Sequence, residues 1–338
     1  LNNEDQEDLD LARSILSVIN HPERQYLRLI DNIVKNGSPR TDRTKVGTRA
    51  LFGVQCRFDL SDGELPILTT KKVLWQAALK ELLWFLKGET NIRPLLQEGV
   101  TIWTDWPLAK YRKATGHDIA QKDFEARVVE DEAFASEWGD LGPVYGKQWR
   151  RWRDYEGGEI DQVAGALNLI GHDPYSRRII IEGWNVAELS QMALTPCHKS
   201  YQFFVTPSEE RYGANGEYGG EHNAHLKGRK RLHLLMVQRS SDTILGVPFN
   251  WTTSSFLLHM MAHQADMDVG EFVWQSADTH VYDNHHDAVA TQLAREPKGE
   301  FPRIAFKRKP DDIFSYKFED FEVVGYDHHP FIKAEVAV

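Results

Sequence analysis

Cysteine is nearly absent from this chain: two occur in 338 residues, Cys56 and Cys197. Two thiols cannot build a disulfide framework, and neither stands in the CxxC or CxxH spacing of a structural zinc site. Positive charge is also in deficit. With 40 Lys and Arg against 50 Asp and Glu the formal charge is −10, which argues against general nucleic-acid binding through many neutralised phosphates. A local arginine cluster can still hold a single phosphate. No apolar run of about 18 residues is present to cross a membrane. The amino-terminal stretch is acidic where a secretory leader would be basic and then apolar, so a cytoplasmic location is expected. The 14 histidines invite a metal, but His285-His286 and His328-His329 lack an HExxH arrangement and none is expected. What the chain does have is an apolar fraction of 41%, enough for the core of one large domain or two ordinary ones.

The two thiols sit in different settings. In FGVQCRFDL, Cys56 alternates with Phe52, Val54 and Phe58 while Gln55 and Arg57 take the other side, so a buried strand face and a structural thiol are expected. Cys197 lies in MALTPCH, where Pro196 fixes the backbone ahead of it and Tyr201, Phe203 and Val205 then alternate as a strand. A thiol attacks carbon only as thiolate, which near neutral pH calls for a cationic neighbour. His198 would point to the opposite face of that strand, leaving arginines as the candidate cations. The local pattern leaves a nucleophile and a buried structural thiol both open.

Along the chain, residues 1–21 read as a polar, acidic extension, and a helix follows with Tyr26, Leu27, Ile30 and Ile33 on its apolar side up to Asn36-Gly37. The basic loop with Arg40, Arg43 and Lys45 is either solvated or arched over an anion. A helix over about 73–87 carries the stripe Leu74, Ala78, Leu82 and Phe85, with Glu81 at its edge as a salt-bridged carboxylate or a proton relay. Trp103 and Trp106 read as core or interface aromatics, and residues 110–138 as charged helices forming an excursion from the core. The loop GDLGPVYGKQW fixes Tyr145. Arg177 and Arg178 lead into Ile179-Ile180-Ile181 and, as consecutive residues entering a strand, would face opposite ways, which hints at a site shared between subunits. Residues 206–231 form a long Gly-rich surface loop. After a strand over 232–237, QRSSD is either a polar turn or a phosphate-binding segment offering Arg239 and Ser240, and Asn250 carries the donor and acceptor to read a pyrimidine edge. A helix over 252–266 is apolar on one face, and His280 and Tyr282 share one side of an extended segment.

Taken in order, RTDRTKVGT, LTTKK, ELLWFLKGETNI, GDLGPVYGKQW, DPYSRRII, PCH, QRSSD, LGVPFN, DTHVY and HPFIKAEVAV resemble the motifs of the thymidylate synthase family, over roughly Tyr26 to Val338. The resemblance implies an α/β (α+β) fold with a large, strongly twisted mixed sheet and flanking helices, a single catalytic domain over 22–338 interrupted by the loop 206–231, and a homodimer formed by sheet packing. It implies transfer of a one-carbon unit from 5,10-methylenetetrahydrofolate to C5 of dUMP, giving dTMP and dihydrofolate without a metal, with Cys197 as nucleophile. By the same likeness Arg43, Arg239 and Ser240 would hold the phosphate, with Arg177 and Arg178 supplied across the interface. Gln238 would be among the nucleotide contacts, Asn250 would bind the base, His280 and Tyr282 the sugar 3'-hydroxyl, and Glu81, Tyr145 and His198 would organise proton transfer. Lys71, Trp103, Trp106, Asp242 and Val338 would meet the folate, Lys71 at a polyglutamate tail and Val338 by closing the site. Trp251-Thr252-Thr253-Ser254 where the family runs Ile-Ala-Ser-Tyr, Ser276-Ala277 in place of a glycine pair, and Val237 in place of a tyrosine depart from its pattern. These departures leave open a relative that hydroxymethylates dUMP with release of tetrahydrofolate. A different class, an inactive nucleotide- or RNA-binding paralogue, is the remaining alternative.

Overall fold

The computed structural model describes residues 20–41, 46–207 and 229–336, so Arg43, Val338, most of the amino-terminal extension and most of the Gly-rich loop lie outside the described residues. A six-stranded mixed sheet is the frame. Its strands are β1 (Ser38–Arg40), β2 (Thr48–Asp59), β3 (Ile180–Glu182), β4 (His198–Thr206), β5 (Arg231–Asp242) and β6 (Asp268–Tyr282), in the spatial order β1-β2-β6-β5-β4-β3. Four neighbouring pairs are antiparallel. β5 and β6 are parallel, so the chain between them must cross over, and it does so as the helix Gly246–Gln264.

That crossover helix is the centre of the core. Every residue from Trp251 to Ala262 is buried, which corrects the expectation of a helix apolar on one face only. A helix enclosed on all sides has no polar stripe to give it a period. Thr252, Thr253 and Ser255 donate back to carbonyls of the helix itself, and Ser254 turns to Met236 Sδ at 3.1 Å on the sheet. Against it packs the helix Trp75–Leu86, which begins later than expected and leaves Leu74 exposed at its head. The amino-terminal helix Arg24–Asn36 buries Tyr26, Leu27, Leu29, Ile30 and Ile33, as its pattern predicts.

On β2 the alternation holds at Cys56 and Phe58, both buried, and burial pushes the Cys56 thiol up to about 12, in keeping with a structural role. It fails at Phe52, which is 88% exposed. Period-two patterning reports which side a residue takes, not whether that stretch of the face is covered. QRSSD continues β5 and forms no turn. Arg177 and Arg178, conversely, lie in an exposed turn ahead of β3, so the opposite-face argument made from a strand does not apply to them.

Candidate active site

Cys197 sits immediately before β4, and the loop that carries it is held from three directions. Its backbone N–H donates to the Tyr145 hydroxyl at 2.7 Å, and its carbonyl accepts from the Arg239 backbone N–H at 2.9 Å. The Arg239 guanidinium donates to the Pro196 carbonyl at 2.8 Å and to both oxygens of Thr195 at 3.0 and 2.8 Å, and lies over the Trp184 ring. Upstream, the Ala193 N–H donates to the Leu141 carbonyl at 2.8 Å. The neighbouring Gly142 has φ +77°, and a Cβ there would come within 2.1 Å of the Gln191 carbonyl, so only glycine lets these two loops approach.

A cavity of about 520 Å³ opens beside the thiol. Cys197 and His198 both line it, against the expectation that consecutive residues would part to opposite faces. Cys197 precedes the ladder, and the pairing with β5 slips by one residue between His198 and Ser200. Burial holds His198 down to about 3, so the ring is neutral at physiological pH and cannot be the cation that activates the thiol. The ring stacks on Tyr145 with centroids 4.5 Å apart.

A one-way chain of hydrogen bonds ends on that imidazole. An indole N–H only donates. Trp274 Nε1 therefore donates to Gln238 Oε1 at 2.6 Å, Gln238 Nε2 to Asn250 Oδ1 at 2.8 Å, and Asn250 Nδ2 to His198 Nε2 at 3.0 Å. His198 is left with its proton on Nδ1, facing the Tyr201 oxygen at 3.1 Å. The polarity set at Trp274 thus fixes which way the Asn250 amide faces and which imidazole nitrogen is protonated. Gln238 is buried behind Asn250 and does not line the cavity.

On the opposite wall Glu81 accepts from Trp103 Nε1 at 2.8 Å. Burial raises its pKa to about 8, the indole donor opposing only part of that, so Glu81 holds its proton at neutral pH. Trp103 and Trp106 pack with centroids 5.3 Å apart and both line the cavity. Asp242 Oδ1 accepts from the Ile244 and Leu245 N–H groups at 2.9 and 3.2 Å while its side chain also reaches the cavity. Lys71 lines it too, buried and donating to the Ile244 carbonyl. Arg239, Ser240, His280, Tyr282, Arg177 and Arg178 do not line this cavity. His280 and Tyr282 do share one side at the end of β6, with ring centroids 5.0 Å apart, and His280 is paired with Asp278 at 2.9 Å.

Several walls escaped sequence reasoning. Ile102, Asp105 and Gln121 come from the stretch read as an excursion or its approach, and Phe249, Phe331 and Ile332 are apolar residues with no chemistry of their own to single them out within their segments. Leu194 was within sight, three residues before the thiol.

The family model for thymidylate synthase matches residues 24–338. A thymidylate synthase of Rhizobium rhizogenes is 54% identical over 321 residues, covering 95% of this chain and 100% of the relative. One from Rhodopseudomonas palustris is 51% identical over 318 residues, covering 94% and 99%. One from Novosphingobium aromaticivorans is 52% identical over 329 residues, covering 94% and 97%. With a family-model match that runs almost end to end and relatives more than half identical over nearly the whole chain, the chain belongs to the thymidylate synthase family.

Proposed function

We propose that this protein methylates dUMP at C5, with Cys197 as the nucleophile, and that 5,10-methylenetetrahydrofolate supplies both the one-carbon unit and the hydride. The observation that carries this reading is the pairing in one cavity of a thiol on a tightly held loop with an amide whose direction is fixed from behind. Uracil offers N3–H and O4 along one edge. Asn250 Oδ1 retains a lone pair for N3–H and Nδ2 retains a proton for O4, whereas cytosine would meet like against like at both atoms.

Addition of the thiolate to C6 moves the C5–C6 electron pair towards C5 and O4. C5 then bonds to the methylene as the methylene's bond to the folate nitrogen breaks, and the C5 proton leaves. The folate gives a hydride to the methylene and departs as dihydrofolate, and the C6–S bond breaks to free Cys197. Nearby donors favour the charge that develops on O4. Arg239, gripping Thr195 and Pro196, is the cation that supports the thiolate, and with Arg43 and Ser240 it holds the nucleotide phosphate. Glu81, protonated at neutral pH and fixed by Trp103, holds a proton inside the cavity, and Tyr145 and His198 order the solvent that relays it. His280 and Tyr282 meet the 3'-hydroxyl. The apolar faces of Trp103 and Trp106 with Asp242 form the wall against which the folate ring fits, and Val338 completes it.

The protein acts as a homodimer. Phe204, Ile180 and Phe52 stand exposed on the sheet in a single chain, and covering them with a second sheet would remove apolar surface from water. Arg177 and Arg178, exposed and not part of the lining of their own cavity, would then serve the partner's phosphate site. Mass spectrometry of the products from dUMP and methylenetetrahydrofolate tests the reading: a methyl gained with dihydrofolate released is expected, and a hydroxymethyl product with tetrahydrofolate would overturn it.

A further inference from the structure

His285 belongs to none of the roles above, yet it is fully buried and sits where three parts of the site meet. It ends the short 3-10 turn Asp283–His285 that follows β6, with its ring edge-on to Tyr282 at 5.5 Å. Its Nε2 is 2.8 Å from the carbonyl oxygen of Glu335, which can only accept, so Nε2 carries the proton. Its Nδ1 has no hydrogen-bond partner and stands 3.9 Å from Asp242 Oδ1.

The carboxy-terminal segment has no secondary structure of its own. Up to Pro330 it is anchored by several bonds: the His329 N–H donates to the Thr69 carbonyl, His329 Nε2 pairs with the Glu296 carbonyl, and Arg295 donates to the Pro330 carbonyl. Beyond Pro330, among the described residues, the bond from His285 to Glu335 is the one hydrogen bond the segment makes. Yet this is the part that supplies Phe331, Ile332 and Val336 to the cavity. Phe331 and Val336 are more than half exposed, so apolar burial holds them only weakly.

We propose that His285 is a positioning residue that latches the carboxy-terminal segment over the cavity, and that its Nε2–H bond to the Glu335 carbonyl sets how often the site is closed. The role in folate binding rests on the function proposed above; the latch itself does not. Asparagine and glutamine separate the two ring nitrogens, since an Asn amide reaches only where Nδ1 lies and a Gln amide can reach the place of Nε2. Trypsin cleavage after the exposed Lys333 in the native, substrate-free protein, followed by mass spectrometry of the intact chain, is the readout, because the protease engages only a tail that has left the surface. His285→Asn should speed that cleavage by about 3- to 10-fold, the worth of one net hydrogen bond, and raise KM for methylenetetrahydrofolate by a similar factor with the Kd for dUMP unchanged. His285→Gln should stay near the wild type in both. Cleavage unaltered in His285→Asn, or equally fast in both variants, would overturn the latch. Altered cleavage with unaltered folate KM would keep the latch and count against the function assigned to the cavity.

Discussion

Trp274→Phe removes the single donor that sets the direction of the amide chain behind the cavity. In the native arrangement a reversed chain would bring Gln238 Nε2–H against the Trp274 N–H, two donors face to face, with the Gln238 oxygen drawn away from its partner. Leaving a buried polar group unpaired in this way costs about 1–3 kcal/mol. With phenylalanine at 274 that penalty is gone, and only the long 3.4 Å contact from Gln238 Nε2 to the Ser240 carbonyl still favours the native direction. The rest of the chain can reverse coherently: Asn250 Nδ2 would donate to Gln238, His198 would move its proton to Nε2, and the Tyr201 hydroxyl would donate to Nδ1. A reversed Asn250 offers N–H to N3 and oxygen to an exocyclic amine, the edge of cytosine. Preference for dUMP over dCMP should therefore fall by about 5- to 150-fold, the equivalent of that penalty, measured as the ratio of kcat/KM values or of nucleotide Kd values on folded protein. A folded Trp274→Phe enzyme that keeps the wild-type ratio within about twofold would refute the idea that Trp274 directs the base reader.

Three further outcomes are expected. Cys197→Ser should lower turnover by on the order of 10³-fold or more while leaving the Kd for dUMP within a few-fold of wild type, and measurable turnover at a wild-type rate would end the covalent mechanism. Asn250→Asp should move preference towards dCMP, since a protonated or water-bridged carboxyl can accept from the cytosine amine; an unchanged preference for uracil would show that another group reads the base. Glu81 supplies a pH test, because burial raises it from 4.5 to about 8, so that the folded state keeps a proton the unfolded chain gives up. The stability this contributes is complete below about pH 4.5 and lost as pH rises through 8, on the order of 5 kcal/mol in all. Urea midpoints should fall over that range in the wild type and not in Glu81→Gln, and parallel curves would mean that Glu81 ionises in the cavity as it does in water.

The parts of the fold that could be read from sequence are those in which one face is wet. The helix bearing Tyr26 and Ile30 shows its stripe, and β2 shows its alternation at Cys56 and Phe58. The crossover helix reads as apolar on one face but is enclosed on all sides, and burial on every side erases the period that would locate a face. Phe52 looked like core because alternation says nothing about where the covering layer ends. In the site, the groups with chemistry of their own (Cys197, Glu81, Asn250, Asp242) could be named one by one, and the cavity does bring them together. What joins them could not be named. The contact between Trp274 and Gln238 spans 36 residues and that between His285 and Glu335 spans 50, and no local pattern encodes partners at such separations.

The same distinction between wall and backing decides how the departures from the family pattern bear on the product. Water reaches an exocyclic methylene only through the lining of the cavity, so a substitution changes the partition between hydride and water when it alters that lining. Trp251 is fully buried, with its ring against Tyr26, Phe58 and Trp274 at 5.9, 4.8 and 5.3 Å, in the layer behind Asn250. Thr252, Thr253 and Ser254 are enclosed in the same helix. Ser276 closes a buried pair with Ser241 at 2.7 Å between neighbouring strands, filling space that glycine would leave open. None of these residues, nor Val237, lines the cavity. The lining itself keeps Trp103 and the apolar groups of the carboxy-terminal segment, the features that exclude water. Trp251→Ile should accordingly change stability through repacking, seen as a shifted urea midpoint, while the ratio of methyl to hydroxymethyl product stays as in the wild type. A product ratio that moves with Trp251 would place control of water in the core behind the cavity, and the division between wall and backing would then be wrong.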